Sequence, residues 1–284
     1  MLGLVRAEFR KIFSTNLWWA MLIPVVVLGF CAGWLGTAFV GIIDVVEQFQ
    51  TSLPLGLLAV SLSTNFGTIF ALLFGAMSFA GEFRHSTITA TYLTANPRGS
   101  VLAAKLITCA TIGLVYGLAN VLFASLGALL GSGPDMTNFG SIDDWLSVGG
   151  AGVLSMLLWA LLGVGFGALV TNVVLAVIAP LVYKFVIEFT VSISLMETSL
   201  AGVAPYLPGA AGNGIVSNLA VPLFVSAVAG PNEPNTPRGA FELLHLFFGG
   251  TYNHPWWLSL LTFLGYAAAF VAGAWFVGRR RDVA

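Results

Sequence analysis

Long apolar runs separated by short polar breaks set the pattern of this chain. Leu17 to Val40, Leu57 to Ala80, Leu106 to Leu130, Val148 to Val170, Val173 to Leu195 and Trp256 to Val277 stand out, and only the fifth contains charge. Each is long enough to cross the roughly 30 Å hydrocarbon core of a bilayer as a helix. Pro24 is expected to bend the first, and Thr171-Asn172 reads as a tight turn between the fourth and fifth. Ahead of them, Met1 to Asn16 is amphipathic. Leu2, Val5, Phe9, Ile12 and Phe13 follow helical spacing, while Arg6, Glu8, Arg10 and Lys11 take other positions. Such a helix can lie in the head-group layer. A secretory signal competes, but Leu17 to Gly41 is too long for a signal core and lacks a small-x-small cleavage site.

One further apolar stretch, Gly214 to Ala229, invites a seventh crossing. It is short and Pro222 interrupts it, so a re-entrant or interfacial element in the outer leaflet is the expectation. An ordinary external loop is the alternative. Pro231 to Pro237 reads as a turn-rich solvated loop.

Composition fixes the class. Of 284 residues, 58% are hydrophobic and 8% charged, with a mean hydropathy of +0.93. Soluble domains carry about 25% charged residues, so the pattern is that of an integral membrane protein. Cys31 and Cys109 both fall in apolar runs and suggest neither a disulfide framework nor a zinc site. The distribution of charge is more telling than its sum of -1. Nine of the 11 Lys and Arg lie at the N-terminus, between runs two and three, or at the C-terminus. With six crossings these share one side, and the positive-inside rule makes that side, with both termini, cytoplasmic. The other side carries Arg238 among Asp44, Glu47, Asp135, Asp143, Asp144, Glu197, Glu233 and Glu242. Trp18 and Trp19 then mark the inner interface, and Trp256 and Trp257 the outer one.

The polar stretch Gly81 to Lys105, GEFRHSTITATYLTANPRGSVLAAK, is the densest in charge between crossings. Phe83, Thr87, Ile88 and Tyr92 fall roughly on one helical face, and Asn96-Pro97 closes the segment. Thr87, Thr89 and Thr91 weaken helicity, so docking would have to support it. A solvated loop that sets topology or touches acidic head groups fits the same pattern.

The stretch GEFRHSTITATYL, followed by NPRGSVLAAKL, resembles the segment after the second span in permeases of type 2 ATP-binding cassette (ABC) exporters. Gly81, Glu82, Arg84, Arg98 and Lys105 carry the likeness. So do the overall layout and the segment Pro205-Tyr-Leu-Pro208-Gly-Ala, similar to that family's outer re-entrant region. The resemblance implies an all-α permease in one domain, residues 1–284, with six transmembrane helices in the cell (plasma or inner) membrane. An interfacial helix would span 1–16, a cytoplasmic coupling helix 81–98, and an extracytoplasmic or re-entrant segment 196–255. Gly81, Glu82, Phe83, Arg84, His85, Ile88 and Tyr92 would dock a soluble ATPase present in two copies. ATP and Mg would bind that partner, this chain having no cofactor and no enzyme activity of its own. A second permease protomer, identical or related, would complete the pathway. The cargo class implied is open: a drug, peptide antibiotic, lipid or glycan.

Lys184 and Glu188 lie inside the fifth run, four residues apart and so on one helical face. At a rise of ~1.5 Å per residue, Lys184 is ~18 Å from the Thr171-Asn172 turn, near mid-membrane. Facing lipid would cost on the order of 3 kcal/mol each. Either they form a self-neutralised pair that stabilises packing, or they line a pathway at a dimer seam. In the resembled family the fifth span borders that seam.

Glycine pairs four apart, Gly29 and Gly33, Gly113 and Gly117, Gly163 and Gly167, permit close helix approach. Catalytic constellations are missing. No Gly-x-x-x-x-Gly-Lys-Ser/Thr loop is present, and no basic run suggests nucleic acid. Glu242, His245 and His254 have a conceivable metal spacing without a clear fourth ligand, so no metal is expected. Two other function classes fit the same residues: a self-contained secondary transporter or channel, and a non-transporting scaffold.

Overall fold

The computed structural model describes residues 2–38, 54–84, 98–132, 141–196, 198–229 and 254–280. Its described elements are all helical, and seven helices are long and apolar enough to cross a membrane. The chain is an all-α, multi-pass membrane protein. In order, α1 is Leu2–Ser14, α2 Leu17–Ala38, α3 Leu55–Arg84, α4 Arg98–Gly131 and α5 Ile142–Val170. Then come α6 (Val173–Val182), a π-helical turn (Tyr183–Ile187) and α7 (Glu188–Met196), which form one continuous rod. After a 3₁₀ segment, Ala201–Tyr206, the chain forms α8 (Pro208–Ala229) and α9 (Trp256–Arg280).

Several boundaries depart from the apolar pattern. The second run extends through Gly81–Arg84, and the third begins at Arg98 rather than Leu106. The fourth begins six residues early at Ile142, where Ser141 caps it by accepting from the Asp144 N–H at 3.1 Å. Asp143 and Asp144 thus sit in a helix first turn, where negative charge is favoured. The Thr171-Asn172 turn is as expected. Thr171 takes the left-handed conformation (φ 57°), and Asn172 caps α6 by accepting from Val174 and Leu175 N–H. Pro24 lies inside an unbroken α2.

Close approach of small residues holds the bundle together, as expected where lipid supplies no hydrophobic drive between helices. A Cβ at Gly33 would strike the Ala124 carbonyl, and one at Gly163 the Leu72 carbonyl. Gly113 and Gly117 sit against backbone of Leu157 and Val153. All three glycine pairs are therefore used within one chain. Between the helices lie Asn120, Ser63 and Thr64, joined by hydrogen bonds of 3.2 and 3.0 Å, and Tyr116, whose hydroxyl donates to the Trp18 carbonyl at 2.6 Å. α3 is the most enclosed span and the α6–α7 rod the least.

These contacts define two ends. At the basal end α1 meets the start of α4 and the end of α3, and the end of α9 joins them through Trp275 against Gly99. At the opposite, apical end lie the starts of α3, α5 and α9. α8 behaves differently. Its first turns face Ser155 and Trp159, roughly halfway along α5, where Ser155 donates to the Gly212 carbonyl at 3.0 Å. It then rises to Asn218, which donates to Ser259 near the start of α9 at 3.1 Å. The preceding Tyr206 carbonyl accepts from Tyr266 at 2.9 Å, about 15 Å further down α9 than Trp256. α8 thus starts at mid-depth and ends apically. The expectation that Pro222 interrupts this stretch is wrong. The helix runs unbroken through it because a single missing N–H is tolerated where Ala220, Val221 and Val225 are buried against neighbours.

Candidate functional site

Two groups of charge are built into the bundle. The first closes the basal end. α1 turns Glu8 and Ile12 toward the bundle and leaves Leu2, Phe13, Arg6 and Arg10 exposed. Glu82 arrives from the last turn of α3 and Lys105 from the second turn of α4. Lys105 Nζ donates to Glu8 Oε2 at 2.9 Å and to Glu82 Oε1 at 2.8 Å. Lys11 Nζ donates to Glu8 Oε1 at 2.8 Å and Glu82 Oε1 at 3.0 Å. Lys105 also reaches the Ser78 carbonyl and stands 5.5 Å from the Phe79 ring centroid. Two cations and two carboxylates balance, which is the condition under which buried charge is tolerated. Burial alone would raise the Glu8 carboxyl. The Lys105 charge and the hydrogen bonds from Lys11 and Lys105 outweigh that and hold it below its ordinary value. Burial alone would lower Lys11, but the hydrogen bonds to Glu8 and Glu82 outweigh it and raise the amine. The quartet ties three helices into a rigid corner; it presents no nucleophile or open face for chemistry.

This changes the reading of the 81–98 segment. Glu82 is buried within the quartet instead of lying on a docking surface. Gly81 and Phe83 are partly exposed and Arg84 is exposed. Phe83 packs against Phe79 with ring centroids 5.8 Å apart. His85, Ile88 and Tyr92 lie outside the described residues, as do Glu242 and His245. Glu8 and Lys11, whose role the chain pattern did not reveal, were signalled only by their i,i+3 spacing on an amphipathic helix.

The second group sits at mid-depth. Lys184 Nζ donates to the Asn65 carbonyl (2.8 Å), Thr68 Oγ1 (3.0 Å) and Asn213 Oδ1 (3.2 Å), and stands 4.5 Å from the Trp159 ring centroid. Glu188 turns elsewhere. Its Oε2 accepts from the Gly209 N–H at 2.8 Å and its Oε1 from the Ala210 N–H. Those are orphan donors of the first turn of α8, where a carboxylate also meets the positive end of the helix dipole. No salt bridge within 4.0 Å joins Lys184 to Glu188 among the described residues. The self-neutralised pair is therefore corrected. Lys184 belongs to the π turn Tyr183–Ile187, which widens the helix just ahead of Glu188, and each charge makes its own hydrogen bonds. Both face protein rather than lipid, as their cost requires.

Near the apical end, His254 Nδ1 is 2.9 Å from Ser259 Oγ, and burial lowers the imidazole's proton affinity. No group of three or more His, Cys, Asp or Glu able to hold a metal occurs among the described residues.

No family model matches the chain, and a search of curated proteins finds no match either.

Proposed function

We propose that the chain is the membrane subunit of an ATP-driven ABC exporter, working as a dimer in the cell membrane and fuelled by a separate ATPase. The observation that carries this reading is the charged quartet Glu8, Lys11, Glu82 and Lys105, buried but for the half-exposed Lys11. It joins the two helices that flank residues 85–97, the stretch resembling a coupling helix, to the N-terminal helix. A push on that connector would move α3, α4 and α1 as one body. Coupling to an external motor needs such a rigid corner.

Six crossings are the layout favoured, by α2, α3, α4, α5, the α6–α7 rod and α9. The mid-depth start and apical end of α8 support its reading as a re-entrant element. The gathering of Arg6, Arg10, Lys11, Arg84, Lys105 and Arg279 at the basal side supports a cytoplasmic base. Arg84, with Gly81, Phe83, His85, Ile88 and Tyr92, is the proposed docking surface; Glu82 positions it from beneath. The sparse packing of the α6–α7 rod leaves Leu175, Ile178, Val182, Phe185, Val186 and Phe189 exposed for lipid or a second protomer. The cargo is a drug, peptide antibiotic, lipid or glycan.

The test is co-expression with soluble ABC ATPase subunits from the same genome, then purification and ATPase assay in nanodiscs. Association lost on Arg84→Glu with the permease still folded is the expected result. Cargo movement by the chain alone in proteoliposomes would overturn the proposal in favour of a self-contained transporter. Lys184, half-buried, and Glu188, buried, both at mid-depth, would then be its coupling charges.

A further inference from the structure

Three features of one rod converge on one helix. Lys184 binds α3 through Asn65 and Thr68, and also reaches Asn213 on α8. Glu188 binds the first two free N–H groups of α8. Between the two charges the rod is π-helical, with Pro180 one turn earlier. A π turn holds extra chain relative to an α-helix and recurs at functional sites. Relaxing it by one residue would rotate α7 by about 100° relative to α6. Lys184 is anchored to α3, so Glu188 is the group that swings.

We propose that α8 is a hinged plug at mid-depth, held by Lys184 through Asn213 and by Glu188 through Gly209 and Ala210, and released when the intervening π turn rewinds. The site is built for release. Gly209 leaves no side chain between the carboxylate and the backbone; a Cβ there would collide with Glu188. The carboxylate therefore grips through hydrogen bonds alone, and the swing needs no side chain to move aside. Trp159 and Gly212 pack ring against backbone in the same way. The seat of α8 is thus smooth on one side and pinned by charge on the other. This inference stands whether or not an ATPase supplies the force.

The experiment uses the full chain in nanodiscs. Ser217, fully buried on α8, is replaced by Ser217→Cys in a background with Cys31→Ala and Cys109→Ala. Labelling of the introduced thiol by a membrane-impermeant maleimide and amide hydrogen exchange over residues 207–217 are then measured in the parent, Glu188→Gln and Lys184→Met. Both variants are expected to speed labelling and exchange by about tenfold or more, the scale set by losing a charge-assisted hydrogen bond. Exchange in α5 should not change. Lys184 makes no bond to Gly209 or Ala210, so faster exchange of those amides in Lys184→Met reports the shared latch. That variant also keeps the test alive if Glu188→Gln fails to fold. If Glu188→Gln frees only the first-turn amides while the introduced thiol stays unreactive, Glu188 is a local cap and the proposal is wrong. Unchanged exchange in Lys184→Met overturns it equally.

Discussion

Lys105 Nζ stands 2.8 Å from Glu82 Oε1 across the base of α3 and α4, with the lysine side chain only 3% exposed. Neither residue lies inside an apolar run, yet both are buried. The contact spans the point where the chain leaves one long helix and enters the next. Glu8 and Lys11 complete it from α1, so the quartet itself is neutral.

Removing one member should therefore cost more than removing two. Lys105→Met leaves Glu8 and Glu82 with only the half-exposed Lys11, and we expect a loss of about 3–5 kcal/mol. Adding Glu82→Gln to it should recover much of that. Glu82→Arg would set a third cation against Glu8 and should destabilise the fold, so it is no clean probe of docking. Thermal unfolding of the purified chain in nanodiscs checks all three. A double variant as unstable as the sum of its singles would show that the residues do not act as a unit.

The same corner sets a pH dependence. Glu8 is held below its ordinary value of 4.5, so its contribution is complete above that pH and lost as pH falls through the lowered value. Lys11 is raised above 10.5, so its contribution is complete below that pH and lost as pH rises through the raised value. The corner should hold across the whole neutral range and open only at acid or strongly alkaline pH. The melting temperature of the parent should fall on the acid side, and that fall should be shallower in Glu8→Gln. Identical acid limbs would show that Glu8 contributes nothing to the pH dependence.

Helix existence was legible in the sequence because each run is apolar over a membrane's width. Helix ends were not. Gly81 to Arg84 read as the start of a separate cytoplasmic helix and Arg98 to Lys105 as polar chain before the third run, since a local window cannot see that Glu82 and Lys105 are satisfied by each other and by α1. Pro222 looked like a break because the tertiary contacts of α8 lie far away in sequence. Lys184 and Glu188 looked paired because the i,i+4 rule assumes about 3.6 residues per turn. Nothing in Tyr183–Ile187 announces a π turn. The residues at mid-depth were thus found, and their partners Asn65, Thr68, Asn213 and Gly209 were not.

Glycine positions should divide sharply. Gly75→Ala and Gly163→Ala drive a methyl into the Ala160 and Leu72 carbonyls at the α3–α5 crossing. Backbone cannot yield as a side chain can, and overpacking of this kind costs roughly 1–3 kcal/mol. Gly150→Ala and Gly265→Ala meet nothing within 4 Å. There the gain in helix propensity, roughly 0.5–1 kcal/mol, should stand alone and leave the protein as stable or more so. Equal effects at all four positions, read from unfolding in nanodiscs, would contradict the close crossing.

Lys184, half-buried, should respond differently from the buried Lys105. Lys105 neutralises carboxylates that its loss would strand. Lys184 binds a carbonyl, a hydroxyl, an amide and a ring face, all neutral. Its removal breaks no direct ion pair, and Thr68 Oγ1 already donates to the Asn65 carbonyl at 2.8 Å. The Asn65 carbonyl therefore keeps a partner in Lys184→Met. The lost hydrogen bonds are offset by the relief of an ammonium whose desolvation is compensated only by the more distant charge of Glu188, with no direct ion pair. Global stability in Lys184→Met should stay within about 1 kcal/mol of the parent, even where α8 opens locally, because local and global opening are separate equilibria. Side-by-side melts of Lys184→Met and Lys105→Met decide the matter. A fall in Lys184→Met as large as in Lys105→Met would mean that the mid-depth charge supports the fold. A small change alongside lost transport would mean that the chain keeps a costly cation for what it does.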